Sequence, residues 1–184
     1  GQLGRALLAA APAAIRVTAR ARADLDISDA TAVAAQLDGV APQLLINAAA
    51  YTAVDRAEED RDAAFAANAL APAVLARACA ERGIRLFHVS TDFVFDGRRG
   101  DPYPPDARTC PLGVYGQSKL AGEEAVLAAG ASALVVRTGW VYSEGPGNFV
   151  STMLRLHRER EALRVVADQV GTPTAAATLA HSLW

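Results

Sequence analysis

Residues 70–91, "LAPAVLARACAERGIRLFHVST", decide the fold class. Positions 70–83 carry apolar residues at i, i+3 and i+4, the period of a helix with one buried stripe. Gly83 then stands where a left-handed helix cap is wanted. Residues 84–91 follow as a short, nearly continuous apolar run, the pattern of a strand buried on both faces. The alternation recurs along the chain. Strand character is found in "AAIRVTA" (13–19), "PQLLINAAA" (42–50), "SALVVRTG" (132–139) and "LRVVADQ" (163–169). Helical periodicity occupies "GRALLAAAP" from Gly4, "DATAVAAQLDG" (29–39), "YGQSKLAGEEAVLAAG" (115–130) and "FVSTMLRLHRERE" (149–161), with Gly39 and Gly130 placed as further caps. Buried strands separated by helices imply a parallel sheet covered on both faces, so the expected fold class is α/β, a doubly wound parallel sheet.

The 184 residues suffice to bury one sizeable core without disulfides or metal. Eighteen Lys and Arg against 20 Asp and Glu leave no basic excess for a phosphate backbone, so nucleic acid is not an expected partner. Cys79 and Cys110 lie far apart without CxxC spacing and read as reduced thiols. No Cys/His cluster has metal-ligand spacing, and no metal is expected. The apolar runs fall short of the roughly 20 residues of a membrane span, and no signal peptide opens the chain. No membrane partner and a cytoplasmic location are therefore expected. The longest irregular stretch, residues 96–113, holds four of the nine prolines, and a loop of that length in a compact domain is usually functional or mobile.

In a doubly wound sheet, ligands bind beyond the carboxyl ends of the strands. "GQLG" (1–4) has the glycine spacing of a turn that lets a pyrophosphate approach a helix N-terminus, though a plain turn has the same spacing. Residues 11–23 contain Arg16, Arg20 and Arg22 and no acid. Either a cofactor 2′-phosphate is met there, which favours NADPH over NADH, or the loop is simply solvated. "INAAAYTAVDRAE" (46–58) sets small residues directly after a strand, and Asn47 needs its amide satisfied if buried. "HVSTDFVFDG" (88–97) ends a strand on Ser90, Thr91 and Asp92, either a ligand-facing cluster or a turn cap, while His88 reads as a satisfied core residue. "VYGQSKLAGE" (114–123) puts Tyr115 and Lys119 on one helix face. A nearby ammonium favours the phenolate and would bring a tyrosine closer to working pH.

Taken together, "GQLG", "DLDISD", "INAAAYTAVDRAE", "STDFVF", "VYGQSKLAGE", "RTGWVY" and "DQVGTPT" stand in the order and spacing of the extended short-chain dehydrogenase/reductases. Within them the chain resembles the dTDP-4-dehydrorhamnose reductase family over almost its whole length. That resemblance implies a Rossmann-like fold, here lacking the first strand and most of the C-terminal substrate domain. Residues 1–174 would be the dinucleotide-binding part and 175–184 the start of the substrate domain. It implies NADPH as cofactor, with NADH left open, a dTDP-sugar as partner, and leaves a homodimer open. Gly1, Gln2 and Leu3 match the pyrophosphate turn, Asp26 and Ile27 the pair beside the adenine, and Ala50, Tyr51 and Thr52 the segment along the cofactor. Tyr115 matches the proton donor and Lys119 the residue that holds the nicotinamide ribose and lowers the tyrosine pKa. Thr91 completes the catalytic set and, with Asp92 and Trp140, matches groups facing the substrate. Phe93 replaces a tyrosine common in relatives. Another nucleotide-sugar reductase or epimerase, or a non-catalytic regulatory homologue, fits the same motifs.

Overall fold

A computed structural model describes residues 1–184. In chain order the helices are α1 (Gln2–Ala9), α2 (Ala30–Val40), α3 (Arg61–Phe65), α4 (Ala71–Arg82), α5 (Val114–Ala128), α6 (Phe149–Glu159) and α7 (Ala176–Leu183). The strands are β1 (Leu44–Asn47), β2 (Arg85–Thr91), β3 (Ala133–Thr138), β4 (Val141–Tyr142) and β5 (Thr174–Ala175). Two compact units are formed, one by Arg20–Arg137 and the other by Gly1–Ala19 with Thr138–Trp184.

In the Arg20–Arg137 unit the sheet order is β1-β2-β3, and β1 runs parallel to β2 with Leu44 opposite Arg85 and Asn47 opposite His88. The α/β class with a parallel sheet is thus as expected. Val33 and Leu37 of α2, Leu75, Ala76 and Cys79 of α4, Ile84, Leu86, and Val126 of α5 form one buried cluster. Each large aliphatic side chain so removed from water contributes about 2 kcal/mol. Asp29 starts α2 by accepting from the backbone of Thr31 and Ala32 at 2.9 and 3.1 Å, an N-cap that satisfies two otherwise unpaired donors.

Gly39 does not cap that helix. The helix runs on to Val40 and ends at Ala41, which takes a left-handed φ of 48°. Pro42 keeps the helix from continuing, because a proline disfavours right-handed helical backbone in the residue before it. Gly83 and Gly130 do take the expected left-handed conformation, with φ of 64° and 73°. Residues 61–82 form one continuous helix, interrupted by a π turn over Ala66–Leu70. It is long and apolar enough to span a membrane by length and composition alone, where the sequence reading expects no such stretch. Here Ala71, Pro72, Leu75, Ala76, Ala78 and Cys79 are buried in the domain, which explains the same hydropathy as that of a core helix.

Two expected strands are absent. Residues 13–19 and 163–169 are irregular, with Ile15, Val165 and Val166 exposed. A strand is stable only as part of a ladder of several residues, and neither segment is part of a strand. In the second unit, β4 instead pairs in parallel with β5, Val141 opposite Thr174. There α1 and α7 pack together, burying Leu3, Leu7, Leu179 and Leu183, and the Trp184 indole donates to the Leu7 carbonyl at 2.9 Å.

Candidate active site

Two glycines in α5 set the geometry. A Cβ at Gly116 would strike the Phe93 carbonyl oxygen and Pro111, and one at Gly122 would strike the Asn68 carbonyl oxygen. Glycine inside a helix costs about 1 kcal/mol against alanine. Here it lets two other backbones reach the helix surface. The turn after β2 is thereby pressed against the first residues of α5, and the Glu58 carboxylate caps that end by accepting from Val114 N at 2.7 Å. A carboxylate is favoured at a helix N-terminus.

Thr91 and Tyr115 meet at this junction. The Thr91 hydroxyl donates to Asp92 Oδ1 at 3.1 Å and accepts from Phe93 N at 3.2 Å. The Tyr115 phenol lies near enough to Thr91 for that hydroxyl to act on its pKa. The Phe93 and Tyr115 rings meet edge-on, centroids 5.5 Å apart. Burial raises the Tyr115 pKa above the ordinary phenol value, the nearby Thr91 hydroxyl opposes the rise, and the Asp92 charge adds to it. The expected lowering by Lys119 is therefore not seen. The Lys119 ammonium is 2% exposed and donates to the Val89 carbonyl at 2.7 Å, and burial brings its own pKa down to about 8. Tyr115 is thus a neutral, fully protonated phenol at neutral pH, the state a proton donor requires.

Beneath them, Asn47 and His88 pair between adjacent strands. The Asn47 carbonyl oxygen accepts from Ala49 N at 3.1 Å, and its amide nitrogen lies 3.1 Å from His88 Nδ1. That network assigns the histidine proton to Nε2. The Asn47 amide is satisfied as expected, whereas His88 is only half satisfied, since Nε2 has no partner. Burial, with the Lys119 charge assisting, drives the His88 pKa to about 3, so it is a neutral core residue.

The loop after β1 is held by a residue that the sequence did not single out. Asn68, fully buried in the π turn, accepts from Tyr51 N at 2.8 Å and donates to Tyr51 O at 3.1 Å and to Ser118 Oγ at 3.0 Å. One amide thus ties the 50–52 segment to the helix that carries Tyr115 and Lys119. Around it Tyr51, Phe65 and Tyr115 pack on Ala57, Ala64 and Val114, while Ala50 and Thr52 are exposed. Replacing the amide by an isosteric apolar group strands both backbone partners. Asn68→Leu is expected to cost about 2 kcal/mol in unfolding free energy, measured by urea denaturation.

Asp26 turns its carboxylate onto Ser28, accepting from its hydroxyl at 2.6 Å and its N–H at 2.9 Å. Those bonds lower its pKa. Ile27 packs on the main core cluster. Arg20 Nε donates to Gln36 Oε1 at 2.9 Å.

In the other unit, α1 begins at Gly1 with no side-chain cap and no acidic residue in its first turn. Space is open where Cβ atoms of Gly1 and Gly4 would lie. Free N–H groups, a positive helix end and open approach fit a pyrophosphate. The Gln2 side chain is committed elsewhere, accepting from Ser143 Oγ at 2.8 Å and Asn148 Nδ2 at 3.2 Å, and Leu3 is buried, so these two offer backbone only. Trp140 adopts a left-handed φ of 48°, a conformation that costs a bulky residue about 1–3 kcal/mol. Its indole lies where a Cβ on Gly171 would fall, 2.5 Å from Cε2. "RTGWVY" and "DQVGTPT" are thus neighbours in this unit.

Besides Asn68, two further residues carry no local signal in the sequence: Glu58 at the α5 cap, and Glu123, 2% exposed and bound to Arg137. One signal was legible. Lys119 is the only lysine in the chain, every other member of the 18 basic residues being arginine.

The profile of the family described as RmlD substrate binding domain matches residues 1–184. The dTDP-4-dehydrorhamnose reductase of Sinorhizobium fredii is 44% identical over 176 residues, covering 96% of this chain and 60% of that protein. Among solved structures, a dTDP-4-dehydrorhamnose reductase of Clostridium acetobutylicum matches with a TM-score of 0.95 at 40% identity, covering 100% of this chain and 65% of that one. That of Bacillus anthracis, in complex with NADP, matches with a TM-score of 0.95 at 38% identity, covering 100% and 66%. The chain spans less than two thirds of the length of each of these relatives.

Proposed function

The chain belongs to the family described as RmlD substrate binding domain, and from that membership we propose that the protein carrying it reduces the C4 ketone of dTDP-4-dehydro-β-L-rhamnose with NADPH, yielding dTDP-L-rhamnose. The observation that carries this reading is the gathering of Thr91, Tyr115 and Lys119 where β2 ends against α5. Residues 1–174 are read as the dinucleotide-binding part and 175–184 as the start of the substrate domain.

The nicotinamide, when bound, supplies the hydride. The protonated Tyr115 phenol gives its proton to the oxygen of the reduced ketone. The Thr91 hydroxyl turns its one proton from Asp92 to the same oxygen, an interaction that is worth most when negative charge develops there. Lys119 holds the ribose hydroxyls through its ammonium. The α1 N-terminus at Gly1, Gln2 and Leu3 receives the pyrophosphate through backbone N–H groups. Asp26 and Ile27 flank the adenine, Ala50, Tyr51 and Thr52 line the cofactor, and Asp92 and Trp140 face the sugar nucleotide.

The test is NADPH oxidation by the full-length protein with dTDP-4-dehydrorhamnose. Turnover supports the reading, and its absence with a folded, NADPH-binding protein overturns it. Cofactor choice has its own check. Arg22 is exposed and near enough to Asp26 to act on it electrostatically. One charge-assisted contact to a 2′-phosphate is worth about 1.5 kcal/mol. Arg22→Ala is therefore expected to raise the Kd for NADPH by about tenfold and to leave that for NADH nearly unchanged. Equal effects on the two would show that Arg22 does not meet the phosphate.

A further inference from the structure

One turn beyond Lys119, α5 buries a carboxylate for which the proposed reaction has no use. Glu123 is 2% exposed. Arg137 on β3 grips it with Nε at 3.0 and 3.2 Å from its two oxygens and Nη2 at 2.6 Å from Oε2, the forked pairing that makes arginine–carboxylate contacts strong and directional. Arg137 Nη1 donates to the Pro105 carbonyl at 2.9 Å, and the guanidinium lies 5.0 Å from the centroid of the Phe95 ring. Phe95 stacks on Tyr103 at 4.3 Å, and the Tyr103 hydroxyl donates to Asp96 Oδ1 at 2.6 Å. A single arginine thus connects the helix of Tyr115 and Lys119, the sheet, and the proline-rich stretch after β2.

Stability alone is a poor account of such a pair. Desolvating two charges consumes most of their attraction, and well-packed apolar residues of similar volume often do as well or better. Lys119 gives the pair a role. A buried ammonium tends to shed its proton, and a neutral lysine would bring no charge to the ribose. Glu123 follows Lys119 by four residues, on the same face of the helix.

We propose that Glu123, clamped by Arg137, is a positioning residue that keeps the Lys119 ammonium charged at the end of β2, while Arg137 registers the Phe95–Pro105 stretch against α5. The proposal rests on the reductase reading for its catalytic consequence. Other titratable groups on the elements packed against α5 are His88 on β2, neutral, Cys79 on α4, its thiol pushed up to about 11 by burial, Asp92 in the turn after β2, Arg61 on α3 and Glu58 at the helix start, with Tyr115 on α5 itself. Among them Glu123 is the charge that supports the ammonium against burial.

The experiment uses the full-length protein and Glu123→Gln, which keeps the side-chain shape and an acceptor for Arg137. Lys119 acts in its protonated form, so activity is lost as pH rises through its pKa, and removing the carboxylate lowers that pKa. The alkaline limb of the kcat/KM profile is expected to move about one pH unit towards neutrality. The Lys119 ε-carbon resonance, assigned by its loss in Lys119→Arg, should titrate with its midpoint lowered by the same amount. A second variant, Arg137→Lys, leaves the carboxylate in place, so kcat should fall with the midpoint close to the wild-type value. An unmoved midpoint in Glu123→Gln, or a uniform loss of activity at every pH, overturns the proposal. If the wild type does not turn over, the reductase reading fails while the resonance still decides the role of Glu123: a lowered midpoint upholds it, and an unchanged one removes it.

Discussion

Tyr115→Phe is expected to lower kcat for ketone reduction by about 10²–10⁴-fold, with KM and the Kd for NADPH changed by less than about threefold. The substitution deletes one O–H and keeps the ring that meets Phe93 at 5.5 Å. Thr91 keeps Asp92 and the Phe93 N–H as partners, so the stability cost should stay within about 1 kcal/mol. This separation gives the experiment its force. A fall in kcat in a protein with unchanged unfolding and cofactor affinity reports the loss of the transferred proton, whereas a variant that keeps more than a tenth of wild-type turnover would remove Tyr115 from the role of donor.

Arg137→Met has the largest expected effect on stability, about 3–5 kcal/mol of unfolding free energy by chemical denaturation, nearer the lower figure because the arginine is 25% exposed. The loss does not come from the arginine's own packing, which methionine largely replaces. It arises because Glu123, 2% exposed, is left without its partner, and a buried unpaired carboxylate is far more costly than a missing salt bridge. The double variant Arg137→Met/Glu123→Gln should therefore recover more than half of the loss, a strongly non-additive result. Additive losses, or a single-variant cost below about 1 kcal/mol, would show that water or another donor already satisfies Glu123.

What the sequence disclosed follows from how local each feature is. Residues 84–91 read correctly because a continuous apolar run after a capped helix has few other uses, and they form β2. The equally apolar 13–19 misled, because strand character is a statement about a partner as much as about the segment. Residue type points to Gly39 as the end of α2, but Pro42 governs it by sterics. At the site, Tyr115 and Lys119 were legible because their spacing lies within one helix. The direction of the Tyr115 shift was not, because it depends on where the Lys119 ammonium points, and that is set by the Val89 carbonyl 30 residues away in sequence. Asn68 binds Tyr51 and Ser118 across 17 and 50 residues, and Glu58 reaches Val114 across 56. No periodicity announces such pairs. The π turn that aims Asn68 inward is likewise invisible in an alanine-rich helix.

The sole lysine has a practical consequence for chemists. Guanidinium groups ignore the aldehydes and activated esters used to graft dyes, crosslinkers or solid supports onto proteins. Within these 184 residues such reagents find one side-chain amine, and it is enclosed between α5 and β2. Its slow capture would time the moments when that helix lifts from the strand, giving a clock for local opening at the site where the chemistry is proposed to occur.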